Sequence, residues 1–453
     1  MKVSEKREFV GEFYLPRNPG HKIPGTLKIG LNGEVRLETF GNFEPFPKNE
    51  TQRYLSLING EVTDVGRVAL IDCCYRSESV PLGGSPKKAI IDARYALCNL
   101  YVAYENREEI KFDTLHFSVE HLRKWFNFAG TNSQQRSTKH GSDMKELLDI
   151  VGTTMTGDDR TEKFTINNIP QKSIIENLDD GIKLQFVLDA NLFRSVDEVK
   201  ITQNAFIKIT SDRPRPLSYF TDLVGKTNTF LCLAIGEIVC IKDVVVPKDG
   251  QHPTVQIYYQ SFVRAEKYQE RNFSGALCQF QDIEENFPAI FNDWIKNYEL
   301  TRPTYSLYLS CRMERVKSLE IAFLSLVQAL ENLHEAGREL YGWPKNNGLE
   351  GKLKKLIFTF EDLIPRDQVD VWNEITENAV GVRNYLTHYN KPEFKEKSEN
   401  LSVIDALYRN LEAMIQLHFL KQIGFSNQKI ASILKRAHWL SLGTALRWPY
   451  QGK

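Results

Sequence analysis

The stretch VWNEITENAVGVRNYLTHYN, Val371 to Asn390, decides how this chain is read. Its apolar residues Val371, Ile375, Ala379, Val382, Tyr385 and Leu386 recur mostly at intervals of three and four, the spacing of one buried helix face. Arg383, Asn384, Thr387 and His388 fall outside that stripe. Pro392 removes a backbone donor and disfavours helix just before it, so the helix is expected to stop within a few residues of His388. A cation, an amide and an imidazole are thereby gathered at one helix end.

Imidazole takes and gives protons near neutral pH. Guanidinium stays charged, and its fork of donors matches a pair of phosphate oxygens. Asn384 and His388 are four apart and share a face, whereas Arg383 and His388 are five apart and diverge by roughly 140° around the axis. Two copies facing each other across a two-fold axis could bring His and Arg from both subunits into one pocket. The chemistry this suits is RNA cleavage without metal: the 2′-hydroxyl attacks its own phosphodiester, His moves the proton and Arg stabilises charge at phosphorus. The plainer reading is that Arg and His near a helix C-terminus complement the dipole and cap the last carbonyls. An Arg and a His four to six residues apart arise by chance about once in a chain of this length; Asn directly after the Arg makes the pattern much rarer.

Lys+Arg and Asp+Glu balance at 58 each, which excludes a global basic field and requires any nucleic-acid partner to meet a local patch. The 453 residues, 42% hydrophobic and 26% charged, allow two or three ordinary globular domains. The opening MKVSEKREFVGEF lacks the apolar core of a signal segment, and the richest apolar run, 230–241, is too short for a membrane span. A cytoplasmic location with no membrane partner is expected. The seven Cys include no CxxC and the nine His no HExxH, so neither a metal nor any other cofactor is expected.

From Phe9 to about Phe117 the chain reads as strands, with Gly30-Leu31-Asn32-Gly33 as a hairpin turn. A helix capped by Ser118 is expected over 120–126, then a polar loop over 129–142 whose Arg136, Lys139 and His140 suit solvent better than a phosphate backbone. Further strands are expected at 163–166, 182–188, 198–209, 238–246 and 255–262, with a helix over 217–235. Neither GxGxxG nor GxxxxGK[ST] occurs, and the first 280 residues offer no chemistry of their own. Helix is expected over 282–300, broken at Arg302-Pro303, then over 313–340, 349–356, 367–388, 402–423 and 428–437. Long helices with short joins are the pattern of an antiparallel bundle.

Arg383-Asn384-x-x-x-His388 late in the third main helix of such a bundle, with LVQALENL at 326–333 and an LGTAL tail, resembles the HEPN family. More narrowly, residues 305–445 resemble the ApeA-like HEPN domain. Phe9-x-Gly11-x-Phe13-x-Leu15-Pro16, with Gly25-Thr26-Leu27 after it, resembles the N-terminal domain of ApeA-type bacterial defence proteins. The resemblance implies an α+β multidomain chain: a β-rich N-terminal sensor or regulatory domain over 1–280, a linker helix over 281–304 and an all-α HEPN-like bundle over 305–445. It implies a homodimeric endoribonuclease with a composite site, acting on tRNA or other host RNA in abortive infection and answering a phage-derived trigger. The family Arg and His fall on Arg383 and His388, and the polar residue after the Arg falls on Asn384. Glu331 falls where the family often carries a helix-borne acid that orients the motif. The competing reading is a non-catalytic interaction, dimerisation or nucleotide-sensing module, a role many HEPN domains serve.

Overall fold

The computed structural model describes residues 7–31, 33–43, 53–78, 88–126, 154–156, 165–167, 172–194, 199–248, 253–261, 276–313, 318–345, 348–363 and 369–436. The loop expected over 129–142 and the LGTAL tail lie outside them. The contacts divide the chain into two compact units, Met1–Val224 with Ile241–Ser261, and Gly225–Cys240 with Phe262–Lys453. Residues 225–240 group with the helices of the second unit.

The first unit is built on antiparallel pairing. Strands β1 (Arg7–Tyr14), β2 (Ile23–Ile29), β3 (Val35–Thr39), β4 (Tyr54–Val62), β5 (Gly66–Glu78) and β6 (Ala89–Leu100) close into a ring in the order β6-β3-β2-β1-β4-β5-β6. Closure removes both exposed edges. Alternate residues such as Phe13, Leu27, Leu37, Ile58, Leu70 and Ile91 are buried in one core. At the expected β2–β3 turn, Gly33 takes φ +78°, and the Gly30 amide donates to the Glu34 carbonyl at 2.8 Å.

Beyond β6 come β7 (Lys111–Val119), α1 (Leu122–Phe126), a separate ladder of β8 (Thr154–Thr156) and β9 (Thr165–Asn167), β10 (Lys172–Leu178), β11 (Ile182–Arg194) and β12 (Val199–Pro216). Helix α2 (Leu217–Ile235), β13 (Ile241–Val246) and β14 (Val255–Tyr259) follow. The sheet continues from β6 in the order β14-β13-β7-β12-β11-β10. Ser118 does not cap a helix. It lies in the β7–β13 ladder opposite Asp243, between buried Phe117 and Val119, and α1 starts only after His121 turns left-handed at φ +57°. Sheet burial of its neighbours outweighs the local capping signal.

The second unit holds α3 (Phe287–Arg312), α4 (Leu319–Tyr341), α5 (Leu349–Phe358), α6 (Val369–His388), α7 (Lys395–Glu399), α8 (Leu401–Gln422) and α9 (Asn427–Arg436). The expected break at Arg302-Pro303 is absent, since α3 runs through Pro303. An interior proline costs about 3 kcal/mol. Here Trp294, Tyr298, Tyr305 and Tyr308 on one α3 face are all buried, and stopping at Pro303 would expose the latter two. Burying each such aromatic is worth roughly 2 kcal/mol or more, so the packing wins. Met313 ends α3 rather than starting α4, which is capped by Ser318 and stopped by Gly342 at φ +65°.

The core of this unit is aromatic. Phe230 of α2 meets Phe291, Trp294 and Phe419 edge-to-face at 5.5 to 5.8 Å. The Arg312 guanidinium is held by Glu412 and donates to the Gly236 carbonyl at 2.9 Å. His418 of α8 is buried between Trp343 and Phe360, 3.0 Å from the Leu356 carbonyl, to which its Nε2–H donates. All seven cysteines are free thiols.

Burial pushes the His418 pKa down to about 4 from an ordinary 6.5. The unfolded chain therefore takes up a proton that the folded chain refuses, and stability present above about pH 6.5 is lost as pH falls toward 4. By pH 5 the loss from this residue is roughly 2 kcal/mol. Urea unfolding at pH 7 and pH 5 is expected to show that loss in the parent chain and a smaller pH dependence in His418→Gln.

Candidate active site

Helix α6 buries Ile375, Ala379 and Val382, as its periodicity predicts, but the first buried position is Trp372 rather than the expected Val371, which is half-buried. The buried face also contains Thr376, Asn378 and Gly381, while Tyr385 and Leu386 are only half-buried. Sequence periodicity missed these polar and small members because their role depends on what faces them. A methyl group at Gly381 would land on the ring of Phe394, which packs over the bare backbone there. Asn378 accepts from Lys397 Nζ at 2.7 Å. Phe394 and Lys397 come from the segment that folds back after Pro392, and they pin the end of α6 from outside.

Helix α6 ends at His388, as expected from Pro392. The Tyr389 amide still reaches the Tyr385 carbonyl at 2.8 Å, and Tyr389 and Lys391 then adopt left-handed φ values of +50° and +62°. These two residues reverse the chain before the proline turn.

Three of the four expected site residues come together. Arg383 is half-buried, and its Nη2 lies 4.0 Å from Glu331 Oε2 of α4, whose side chain is 19% exposed. Its Nη1 donates to Asn384 Oδ1 at 3.1 Å. Thr387 donates its hydroxyl back to the Arg383 carbonyl one turn earlier, the common i−4 bond of a helical threonine. The fourth residue stands apart. His388 is solvent-exposed, and among the described residues no hydrogen bond or ion pair joins it to Arg383, Asn384 or Glu331.

A residue the sequence did not single out completes the charge arrangement. Lys352 of α5 sits between two α4 carboxylates, 3.7 Å from Glu331 and 3.1 Å from Glu335. Arg338 and Lys352 hold Glu335 well below the usual carboxylate range, at about 2. Glu331 therefore faces two cations, Arg383 and Lys352. Only the i, i+4 spacing of Glu331 and Glu335 on α4 hints at this, since nothing local tells which of several α5 lysines turns toward them. Exposed Tyr389 lies next to His388 with its ring edge-to-face on Tyr385, centroids 5.7 Å apart.

Two family models match the chain. Residues 8–294 match ApeA N-terminal domain 1, and residues 324–429 match the ApeA-like HEPN domain. The first match alone covers more than half of the sequence, so the chain belongs to the ApeA-type HEPN proteins. That is a class of nuclease-type anti-phage defence proteins in which the HEPN domain is commonly a ribonuclease and often dimerises and binds RNA. No curated protein and no solved structure matches the chain. No helix among the described residues is long and apolar enough to cross a membrane.

Gly381→Ala is expected to lower stability by about 1 to 3 kcal/mol, because the added methyl must displace the Phe394 ring. Gly348→Ala at the start of α5 meets nothing within 4 Å and is expected to change stability by less than about 1 kcal/mol. Urea midpoints of the two variants measure the difference.

Proposed function

We propose that this chain is an endoribonuclease whose active site is assembled from two copies of α6. In this reading the 2′-hydroxyl of bound RNA attacks the adjacent phosphodiester and no metal takes part. His388 moves the proton, Arg383 stabilises the negative charge that builds on phosphorus, and Asn384 orients the guanidinium. The single observation that carries the reading is the split within one α6: Arg383 is anchored by Glu331 and Asn384, while His388 stands in solvent one and a half turns on. Five residues separate the two directions by roughly 140°, too far for one helix to close them on one phosphate. A second copy related by a two-fold axis would place its His388 against the first copy's Arg383 and complete the pair.

Tyr389 supports an RNA substrate. It is 78% exposed, and an exposed ring beside the reacting groups is a platform on which an unpaired base stacks. Single-stranded loops of tRNA or other host RNA offer such bases. Cleavage of that RNA stops translation in an infected cell, and the N-terminal unit then serves to restrain the nuclease until a phage-derived trigger reaches it, in the cytoplasm.

Arg383→Ala and His388→Ala are each expected to reduce RNA cleavage at least about 100-fold while leaving the unfolding midpoint near that of the parent. Cleavage is expected to persist in EDTA and to leave 2′,3′-cyclic phosphate ends. Mixing the two inactive variants is expected to restore part of the activity, because a mixed dimer contains one intact composite pair. Full activity in both folded variants, or a strict requirement for a divalent ion, overturns the proposal.

A further inference from the structure

We propose a second site, in the first unit, that binds a nucleoside di- or triphosphate in a crevice at the fork of β6. The crevice follows from strand pairing. One edge of β6 pairs with β5 along most of its length. The other edge is shared: Val35 of β3 pairs with Ala93, and Tyr259 of β14 pairs with Tyr95. Arg94 falls at the point where one partner leaves and the next arrives. Two strands that take successive halves of one edge must diverge, and a cavity of about 720 Å³ opens there. Its walls include Arg36 of β3, Arg76 of β5, Arg94 of β6 and Tyr259 of β14, and Thr221 from the first turns of α2. This is the size of small-molecule sites.

The lining specifies the ligand. Arg36 Nε lies 3.0 Å from one Asp92 oxygen and Arg76 Nη1 lies 3.2 Å from the other. A single carboxylate thus aligns two guanidiniums and leaves each fork with further N–H donors, while Glu8, Glu34 and Asp222 share the lining with Arg7, Lys28 and Arg94. Two aligned forks match linked phosphates better than a lone anion. The Arg94 guanidinium lies over the Tyr95 ring at 5.3 Å, and the Tyr95 hydroxyl is fixed by Thr221 Oγ1 at 3.1 Å. The outward face of a guanidinium held flat on an aromatic ring is a shelf for a planar base. Inorganic phosphate would occupy a small part of this volume and leave the shelf unused. A nucleotide uses the paired forks and the shelf together.

The test uses the full chain carrying His388→Ala, which removes the proposed nuclease chemistry without touching the first unit. Binding of fluorescent ADP is measured at equilibrium, with inorganic pyrophosphate and adenosine as competitors. Saturable binding is expected, with pyrophosphate competing more strongly than adenosine. Arg36→Ala, Arg76→Ala and Arg94→Gln are each expected to weaken it at least about tenfold, with unfolding midpoints unchanged because these side chains reach solvent. Absence of saturable ADP binding overturns the proposal, as does equal binding by all three arginine variants. Loss of binding in Arg383→Ala with the three variants unaffected would place the nucleotide at α6 and also overturn it. None of these outcomes depends on whether the chain cuts RNA.

Discussion

An arginine with one side in the protein must meet a carboxylate or lose more hydration than its packing returns, and Arg383 is in that position. Glu331 meets it from α4 while also facing Lys352 of α5, so one carboxylate joins three helices of the second unit. The arrangement is neither a surface pair, which would count for little, nor a fully dry one, which would cost stability. Its effect is directional. The guanidinium is directed by its hydrogen bond to Asn384, its neighbour in the chain, and by Glu331 at 4.0 Å.

The end of α6 is fixed with similar economy of parts. Gly381 leaves room for Phe394, Lys397 reaches back to Asn378, and two left-handed residues turn the chain toward Pro392. A helix C-terminus normally frays. This one is packed on its inner side and open on its outer side, which leaves His388 and Tyr389 exposed.

The first unit obeys a different constraint. Its barrel closes because β6 pairs with β5 on one side and with β3 on the other, and the length of β6 beyond β3 pairs with β14 and carries the sheet onward. The sequence showed the strands individually through alternation and turn residues, and the Gly30–Gly33 turn was legible from its glycines alone. Closure was not legible, since it depends on register between segments far apart in the chain. For the same reason the crevice at Arg94 left no mark in the sequence: Arg36, Arg76 and Asp92 are scattered there and converge only through cross-strand pairing.

Local rules also failed in instructive ways. Ser118 carries a capping signal yet belongs to a strand, and Pro303 carries a breaking signal yet lies inside α3. In both places buried neighbours, Phe117 and Val119 in one and Tyr305 and Tyr308 in the other, outweigh a preference worth only a few kcal/mol. The sequence by itself determined the α+β order, the helix that carries Arg383, Asn384 and His388, and where that helix stops, because periodicity and a proline act within a few residues. Only the tertiary structure decided that Glu331 and Lys352 meet Arg383, that His388 stays in solvent, and that β6 forks, because those outcomes rest on contacts between segments that sequence distance does not encode.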